Sequence, residues 1–290
     1  MKEEIIKICN ENDLIKVGFC NTKNILVDYS RYELQEKLGY KCSFQVGKIK
    51  DKDLSSEKYS IYNTVIAVLL PYKKVNFEDK DKVYFSAVAS GEDYHKTLTK
   101  KLQKVGDYLK KNNYIYKIFV DNNPLDEKNL AYNCGLGFFG KNNLLINSEL
   151  GSYFNIGIIL TDAIIESDKI LKCSCGECNL CVKSCPSKAI NEDGILNANK
   201  CLSYLTQKKN LDNIDTSNFN NCIYGCDICM SVCPYNKKVE YVNENGINPD
   251  DFLNMNEEEF NEKYKDTAVA WRGKETLDRN ISIYLKNIDK

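Results

Sequence analysis

The first half of the chain alternates between two hydrophobic patterns. Between Glu92 and Lys111, apolar residues recur at spacings of four and three, which predicts a helix with one buried stripe: Tyr94, Leu98, Leu102, Val105 and Leu109. The segment from Asn63 to Tyr72 is instead a continuous, β-branched apolar run interrupted by a proline, which is typical of a strand covered on both faces. Together these patterns predict an α/β or α+β domain with a mostly buried sheet.

Shorter segments extend this prediction. We expect helices near residues 3–10 and 30–38, the second with Ser30 as its cap, and a short strand at residues 16–21. Further strands are expected at residues 113–121 and 155–165, with a helix-like segment at residues 125–133 between them. No internal repeat interrupts the series.

Composition and charge exclude few function classes. The chain has 290 residues, of which 43% are hydrophobic, and its 40 basic and 41 acidic residues give a net charge of −1. Bulk charge therefore gives no argument for a nucleic-acid or membrane partner. The N-terminus lacks the basic start of a signal peptide, and the longest apolar run, Thr64 to Leu70, is far below the roughly 18 residues of a membrane span. We expect a cytoplasmic protein with no membrane association.

The cysteines divide the chain. Cytoplasmic thiols stay reduced, so 14 cysteines indicate metal binding rather than disulfides. Ten of them fall between Cys173 and Cys233. We therefore predict three parts: an α/β domain at residues 1–168, a metal-binding domain at residues 169–240, and a C-terminal helical tail at residues 241–290.

The run "CGECNLCVKSCP" has the C-x2-C-x2-C-x3-C-P spacing of a bacterial ferredoxin with two [4Fe–4S] clusters. A second run, "CDICMSVCP", supplies three more cysteines, and Cys201 can complete the set. In such pairs the last cysteine of each run ligates the other cluster. The predicted ligands of one cluster are Cys175, Cys178, Cys181 and Cys233, and those of the other are Cys185, Cys201, Cys226 and Cys229.

Other readings of the cysteines are weaker. A zinc ribbon needs two separated C-x2-C pairs and leaves the interleaved cysteines without a use. Cys173 and Cys222 lie near the ligands but break the spacing. The scattered cysteines are expected to be buried small hydrophobic residues: Cys9, Cys20, Cys42 and Cys134.

The stretch "CGLGFFGKNNLLI" matches two nucleotide-binding patterns, and its surroundings argue against both. A dinucleotide loop follows a strand and opens a helix, whereas here a helix-like segment precedes the glycines and a strand-like segment follows them. A phosphate-binding loop needs a hydroxyl where this chain has Asn142. A helix C-cap explains Gly135, while Gly137 and Gly140 leave close backbone approach to a large ligand open.

At this point five motifs carry a resemblance: "CGLGFFGKNNLLI", "GSYFNIGIILTD", "CGECNLCVKSCPSKAI", "KCLSYLT" and "IYGCDICMSVCPYNK". Together with "SGEDYHKTL" and the tail, they resemble the epoxyqueuosine reductase family, whose members depend on cobalamin and [4Fe–4S] clusters and are related to reductive dehalogenases. The similarity runs in one order from about Val17 to Asn287. It implies a reductase that converts epoxyqueuosine to queuosine in tRNA.

The resemblance implies a cobalamin in its base-off form beside the glycine loop. Residues expected to contact it are Lys141, Asn142, Leu145, Ile156 and Ser203. Backbone groups and Lys141 would bond the corrin amides, and Leu145 and Ile156 would face the macrocycle. For the single histidine, His95, a local hydrogen-bonding role and direct cofactor contact are both open.

Asp121 is the predicted catalytic proton donor. It ends a predicted strand, and burial beside a corrin is expected to raise its pKa and keep it protonated at neutral pH. The family has an aspartate in a D-T-G-P stretch where this chain has "DNNP". The alternative is that Asp121 or Asn123 merely caps the helix entered at Pro124.

Three departures from the family pattern concern the substrate and not the cofactors. "SYLTQKK" lacks the glutamate of the family's "SYLTIE", Ser90 stands where an arginine is expected, and the chain ends at Lys290 without the usual helical-repeat domain. Open alternatives are a cobalamin and iron–sulfur reductase of a small molecule, and a two-cluster electron-transfer protein. We expect tRNA as a partner, a ferredoxin or flavodoxin as electron donor, and a monomer.

Overall fold

The computed structural model describes residues 1–243 and 246–289. Its helices and strands, in chain order, are α1 (Lys2–Glu11), β1 (Lys16–Asn21), α2 (Tyr29–Lys37), β2 (Thr64–Pro71), β3 (Tyr84–Phe85), α3 (Tyr94–Lys111), β4 (Tyr116–Phe119), α4 (Glu127–Asn133), β5 (Phe138–Phe139), β6 (Leu145–Ile146), β7 (Phe154–Thr161), α5 (Leu180–Ser184), α6 (Leu202–Leu205), β8 (Cys222–Tyr224), α7 (Ile228–Ser231), α8 (Pro249–Leu253), α9 (Glu257–Tyr264) and α10 (Lys274–Ile288).

A four-stranded sheet organises the N-terminal half. Its order is β1-β2-β7-β4, and every neighbouring pair is antiparallel. The central strand β2 pairs Ala67 with Gly18 on one side and with Ile158 on the other. Its first six residues are buried, which confirms the prediction of a strand covered on both faces.

Helices cover the two faces of this sheet. On one face, α1 and α3 pack their apolar stripes against Ile66, Val68 and Ile159. On the other face, α4 packs against Val65 and Ala67. The predicted stripe of α3 is confirmed from Leu98 onward, with Leu98, Leu102, Val105 and Leu109 fully buried. Tyr94 departs from it, because its hydroxyl bonds Asp121 instead of entering the core.

The predicted cap Ser30 is wrong, and the alternative role of Asp121 as a helix cap is not seen, because a nearer carboxylate takes the position in each helix. Asp28, not Ser30, caps α2 by accepting a hydrogen bond from the Arg31 backbone. Asp126 caps α4 by accepting from the Asn129 backbone. Asp121 is therefore not the cap of this helix.

The C-terminal helices pack on a segment from the first half of the chain. Strand β3 pairs in parallel with β8, and Val83 and Phe85 share a core with Phe252, Phe260 and Leu277. The predicted helical tail thus covers residues that precede α3 as well as part of the cysteine-rich region. Among the described residues, no helix is long and apolar enough to cross a membrane.

Candidate active site and cluster-binding loops

The first set of predicted ligands converges from two loops. Cys175, Cys178 and Cys181 lie before and within α5, and Cys233 follows α7. Burial raises the pKa of the Cys181 thiol, and the charges of the other three thiolates raise it further. Such coupling requires the four sulfurs to be close together. Iron would reverse this protonation, because metal binding deprotonates thiols.

The second set converges in the same way. Burial raises the pKa of Cys226 to about 12, with smaller contributions from Cys201 and Cys185. The pKa of Cys229 is likewise raised by burial and then by Cys226 and Cys201. The backbone amides of Ser203 and Tyr204 donate toward the Cys201 sulfur, so Ser203 lies directly beside this ligand.

Each set holds four cysteines, which is the ligand number of a [4Fe–4S] cluster. Among the described residues, no group of three or more His, Cys, Asp or Glu side chains could hold one metal ion. A zinc site needs its four ligands around one ion, whereas four cysteines on a [4Fe–4S] cluster each bind a different iron.

The remaining cysteines divide by burial. Cys9, Cys20 and Cys134 are buried in the sheet domain, as expected. The prediction for Cys42 is wrong: it is half-buried and its charge acts on Cys201. Cys42 lies in a loop beside the second ligand set. The sequence does not reveal this, because Cys42 is far from the ligand cysteines along the chain.

The glycine-rich stretch forms a helix end followed by a β-hairpin. Gly135 has a φ of +74°, and the amides of Gly135 and Leu136 donate to the carbonyls of Tyr132 and Ala131. This is the Schellman arrangement that ends a helix, and it confirms the predicted C-cap. Strands β5 and β6 then pair in antiparallel fashion.

The structure explains the two remaining glycines by packing inside the protein. A Cβ atom on Gly137 would lie 2.5 Å from the carbonyl oxygen of Ile146, and one on Gly140 would lie 2.6 Å from Asn142 Oδ1. The hairpin therefore needs both glycines for its own closure. Their spacing is not evidence of a corrin lying against this backbone.

The predicted cofactor contacts take up three different environments. Lys141 Nζ donates to Gly176 O (2.9 Å) and Asn179 Oδ1 (2.8 Å), so it ties the hairpin to the first cluster loop. Leu145 is 2% exposed within the core. Ile156, on β7, is partly buried at the edge of the same core and offers the accessible apolar surface that Leu145 lacks.

Asn142 lies beside the first ligand set. It is 4% exposed, and it lines a small cavity together with the four cysteines of that set. Its Oδ1 atom accepts a hydrogen bond from the Leu144 amide at 3.3 Å. Its Nδ2 donor has no hydrogen-bond partner among the described residues.

Asp121 lies in a left-handed turn after β4. Asp121 and Asn122 have φ angles of +48° and +43°, an unusual conformation for residues with side chains. Asp121 Oδ2 accepts hydrogen bonds from Tyr94 Oη at 2.5 Å and pairs with His95 Nε2 at 3.2 Å. On its other side, His95 Nδ1 lies 2.6 Å from Asp93 Oδ1. His95 therefore has the local bonding role and bridges two carboxylates.

The expectation that Asp121 stays protonated is wrong for this arrangement. Burial would raise its pKa, but the hydrogen bonds from His95, Tyr94 and the Asn122 backbone outweigh burial and lower the pKa to about 2. The same contact with Asp121 is the main reason that the pKa of His95 is raised, against the opposing effect of burial. These shifts favour an ionised Asp121 paired with a protonated imidazole.

Glu127 supports the turn from behind. Its Oε1 atom accepts from the Asp121 amide at 2.8 Å and from Asn123 Nδ2 at 2.7 Å. Burial is the main cause that raises the pKa of Glu127 to about 7, and the charge of Asp121 adds to it. Glu127, unlike Asp121, is therefore a carboxyl group that is partly protonated near neutral pH.

A cavity of about 690 Å³, here called the main cavity, opens beside this turn. Asp121 and Glu127 line it from the sheet domain, Phe139 from the hairpin, and Leu196 and Ala198 from the cysteine-rich region. This volume is in the range of ligand-binding pockets. Since the two halves of the chain share the cavity, it places the aspartate turn and the cluster domain around one space.

Sequence reasoning missed two residues of this site. Tyr94 was assigned to the apolar stripe of α3, although its place next to Asp93 and His95 at the helix start was a signal for a polar role. The sequence gives no signal for Glu127, because its role depends on a turn that brings its carboxylate back to the Asp121 amide.

Two family models match the chain. The one described as "Epoxyqueuosine reductase QueG, DUF1730" covers residues 57–122, which end just after Asp121. The one described as "4Fe-4S double cluster binding domain" covers residues 174–236, which include all eight predicted ligands. The second match confirms the predicted two-cluster domain.

Curated relatives are similar along almost the whole chain. An epoxyqueuosine reductase from Lactococcus garvieae is 33% identical, with 99% of this chain and 87% of the relative covered. One from Bacillus subtilis is 30% identical, with 98% of this chain and 78% of the relative covered.

Solved structures agree with these relatives. The epoxyqueuosine reductase of Streptococcus thermophilus superposes with a TM-score of 0.90 at 30% identity, covering 100% of this chain and 82% of that one. An epoxyqueuosine reductase crystallised with an epoxyqueuosine-modified tRNA-Tyr stem loop gives a TM-score of 0.90 at 28% identity, covering 99% and 81%. A reductive dehalogenase shares the fold at 16% identity and a TM-score of 0.51, covering 82% of this chain and 32% of that one.

Proposed function

The chain belongs to the epoxyqueuosine reductase family, and from this premise we propose that it reduces the epoxide of epoxyqueuosine in tRNA to the alkene of queuosine. The reaction breaks the C–O bonds of the epoxide and releases the oxygen as water, which consumes two electrons and two protons. The protein must therefore supply electrons and protons at one place. The observation that carries the proposal is the main cavity, which is lined both by Asp121 and by the cysteine-rich region.

We propose that the eight cysteines bind the clusters in the predicted sets. Cys175, Cys178, Cys181 and Cys233 would hold one cluster, while Cys185, Cys201, Cys226 and Cys229 would hold the other. The mutual charge effects within each set support this division. The pKa of Cys229 is also raised by Cys181, so the two sets are neighbours, as electron transfer between clusters requires.

The main cavity also suits a base-off cobalamin. Aromatic side chains, among them Phe44, Tyr132 and Phe139, supply apolar walls. The one histidine of the chain is held between Asp93 and Asp121, so it is engaged as a hydrogen-bonding partner and not as a cobalt ligand. Ile156 and Ser203 stay proposed contacts through the family resemblance, and neither is among the residues that line the main cavity. Bound there, a cobalamin would supply low-potential electrons to the strained C–O bond.

The protein's own part is to hold and move protons. When His95 is protonated, its Nε2–H contacts Asp121 Oδ2, which gives that proton a direct route to the carboxylate that lines the cavity. Asp121 would then pass the proton to the oxygen that leaves the substrate. Asp93 keeps the imidazole oriented through Nδ1. Asp121 is thus proposed as a relay whose proton comes from His95.

A basic groove supports tRNA as the substrate. On the outer face of α3, Lys96, Lys100 and Lys104 follow at four-residue intervals and line a groove that begins at His95. Such a row can contact successive phosphates of an RNA backbone and place a neighbouring nucleoside near Asp121. The net charge of the whole chain concealed this local patch.

The remaining assignments are proposals about partners. We propose that a ferredoxin or flavodoxin donates electrons to the clusters, and that the protein acts as a monomer. Steady-state reduction with each donor tests the first assignment. The mass in solution, measured by light scattering with and without tRNA, tests the second.

The function is tested by anaerobic reconstitution with iron, sulfide and cobalamin, followed by incubation with a reductant and an epoxyqueuosine-containing tRNA stem loop. The expected product is 16 Da lighter than the substrate nucleoside, by loss of one oxygen. A free epoxyqueuosine nucleoside is the matched substrate control. Turnover of the free nucleoside but not of the stem loop would favour a small-molecule reductase, and retained clusters with no bound cobalamin would favour an electron-transfer protein.

A further inference from the structure

Asn142 has a buried donor without an acceptor in the protein. The residue is 4% exposed, and its Nδ2 atom has no hydrogen-bond partner among the described residues. Its Oδ1 atom is already fixed by the Leu144 amide, which sets the direction of the amide group. A buried donor left unpaired costs roughly 1–3 kcal/mol, so an acceptor is expected where Nδ2 points.

The cavity beside Asn142 shows which acceptor is available. It has a volume of about 40 Å³ and is lined by Cys175, Cys178, Cys181 and Cys233, the four proposed ligands of one cluster. The other lining residues are largely apolar: Ile146, Leu180 and Pro234, with Lys141 and Tyr235. The polar group of Lys141 is already bonded to Gly176 and Asn179.

A trapped water is a poor alternative for this acceptor. A buried water typically makes about three hydrogen bonds, and it needs several polar partners to stay in place. In this cavity most of the wall is sulfur and hydrocarbon. Sulfur atoms of an iron–sulfur cluster, in contrast, carry negative charge and accept hydrogen bonds.

We infer that Asn142 Nδ2 donates a hydrogen bond to a sulfur atom of the cluster held by Cys175, Cys178, Cys181 and Cys233, and thereby tunes its reduction potential. The inference rests on the proposed ligand set of that cluster. It assigns Asn142, in the hairpin between β5 and β6, to a cluster instead of to the corrin.

The expected effect has a definite sign. Reduction adds one negative charge to the cluster, and a hydrogen-bond donor stabilises the more negative state. The donor therefore raises the potential. Removing it lowers the potential of this cluster, while the other cluster, with its ligands on Cys185, Cys201, Cys226 and Cys229, keeps its value.

The test is a redox titration of the reconstituted protein followed by EPR. Asn142→Ala and Asn142→Leu remove the donor with different losses of volume, and both are expected to shift one of the two reduction waves to more negative potential. The matched control is Asn147→Ala. Asn147 follows the same hairpin and is 5% exposed, but its Nδ2 donates to Leu136 O. We expect this variant to leave both waves in place.

A second measurement detects the proposed hydrogen bond directly in the wild-type protein. Wild-type protein labelled with ¹⁵N in the asparagine side-chain amides should show a ¹⁵N coupling to the reduced cluster in pulsed EPR, and Asn142→Ala should lose it. Unchanged potentials in both Asn142 variants, or a coupling that persists in Asn142→Ala, would overturn the inference. The iron content separates failure of the proposed ligand set from failure of the inference about Asn142. Reconstituted wild-type protein that binds only half the iron expected for two clusters would show that the ligand set itself is wrong.

Discussion

The cluster loops and the Asp121 turn place their functional groups in different ways. Seven of the eight cluster cysteines, Cys175 to Cys185 and Cys226 to Cys233, come from two short runs whose spacing already brings the sulfurs together. The Asp121 turn instead collects His95 and Tyr94 from α3 and Glu127 from α4. Local spacing therefore specifies the electron carriers, whereas tertiary packing specifies the proton carriers.

The largest expected effect is on the cluster side. Cys229→Ala removes a proposed ligand and should halve the bound iron, with loss of turnover, because electrons then lack one of the two clusters. Iron and sulfide analysis with activity on the tRNA stem loop measures both. The control is Cys222→Ala, since Cys222 is buried but lies outside both ligand sets. Full iron content in Cys229→Ala would contradict the proposed set.

The next effect is on the proton side. Asp121→Asn keeps the size of the side chain but removes the carboxylate that links His95 to the main cavity. We expect turnover to fall by about 10²- to 10⁴-fold, the usual contribution of a general acid. Cluster EPR signals and binding of the stem loop should not change. Turnover within a factor of two of the wild-type value would remove Asp121 from the mechanism.

These two predictions differ in how much of their basis was visible in the sequence. The cluster ligands, the buried strand β2 and the apolar stripe from Leu98 to Leu109 follow from spacing and periodicity alone. The ionised state of Asp121 does not, because it depends on hydrogen bonds from residues 26 and 27 positions earlier in the chain. Burial could be anticipated from the strand, but the donors that outweigh burial could not.

The glycine loop illustrates the same limit. The C-cap at Gly135 could be predicted because it depends on one helix end. The need for Gly137 and Gly140 comes from their contacts with Ile146 and Asn142 across the hairpin. A pattern of glycines indicates close approach, and only the fold identifies what approaches.

His95 gives a smaller effect with a characteristic pH dependence. The raised pKa of His95 favours the protonated imidazole, so wild-type activity should decline on the alkaline side as pH rises through that pKa. His95→Gln cannot carry this proton. We expect turnover to fall by about tenfold to a hundredfold and the alkaline decline to disappear from the rate profile. If the activity of His95→Gln declines at the same alkaline pH as that of wild type, the decline belongs to another group.

Asp121 and His95 also contribute to the stability of the fold, and their two contributions depend on pH in opposite directions. The lowered pKa of Asp121 stabilises the fold above pH 3.8, and that contribution is lost as pH falls toward about 2. The raised pKa of His95 stabilises the fold below its ordinary value of 6.5, and that contribution is lost as pH rises through the raised value. Melting curves of His95→Gln should therefore differ from wild type most in mildly acidic solution and converge in alkaline solution.

The smallest expected effect tests whether Glu127 acts through position or through charge. Because burial raises its pKa from 4.5 to about 7, the folded state is favoured below pH 4.5 and loses that advantage as pH rises through 7. Glu127→Gln retains an oxygen that can accept from Asp121 and Asn123 but does not ionise. At pH 8.5 we expect this variant to melt at a higher temperature than wild type and to have a free energy of unfolding about 1–3 kcal/mol larger. At pH 4.5 we expect little difference between the two proteins. Turnover should change less than fivefold. Parallel melting profiles across this range would show that Glu127 is solvated in the folded protein, and the Asp121 turn would then be held by its hydrogen bonds to α3 alone.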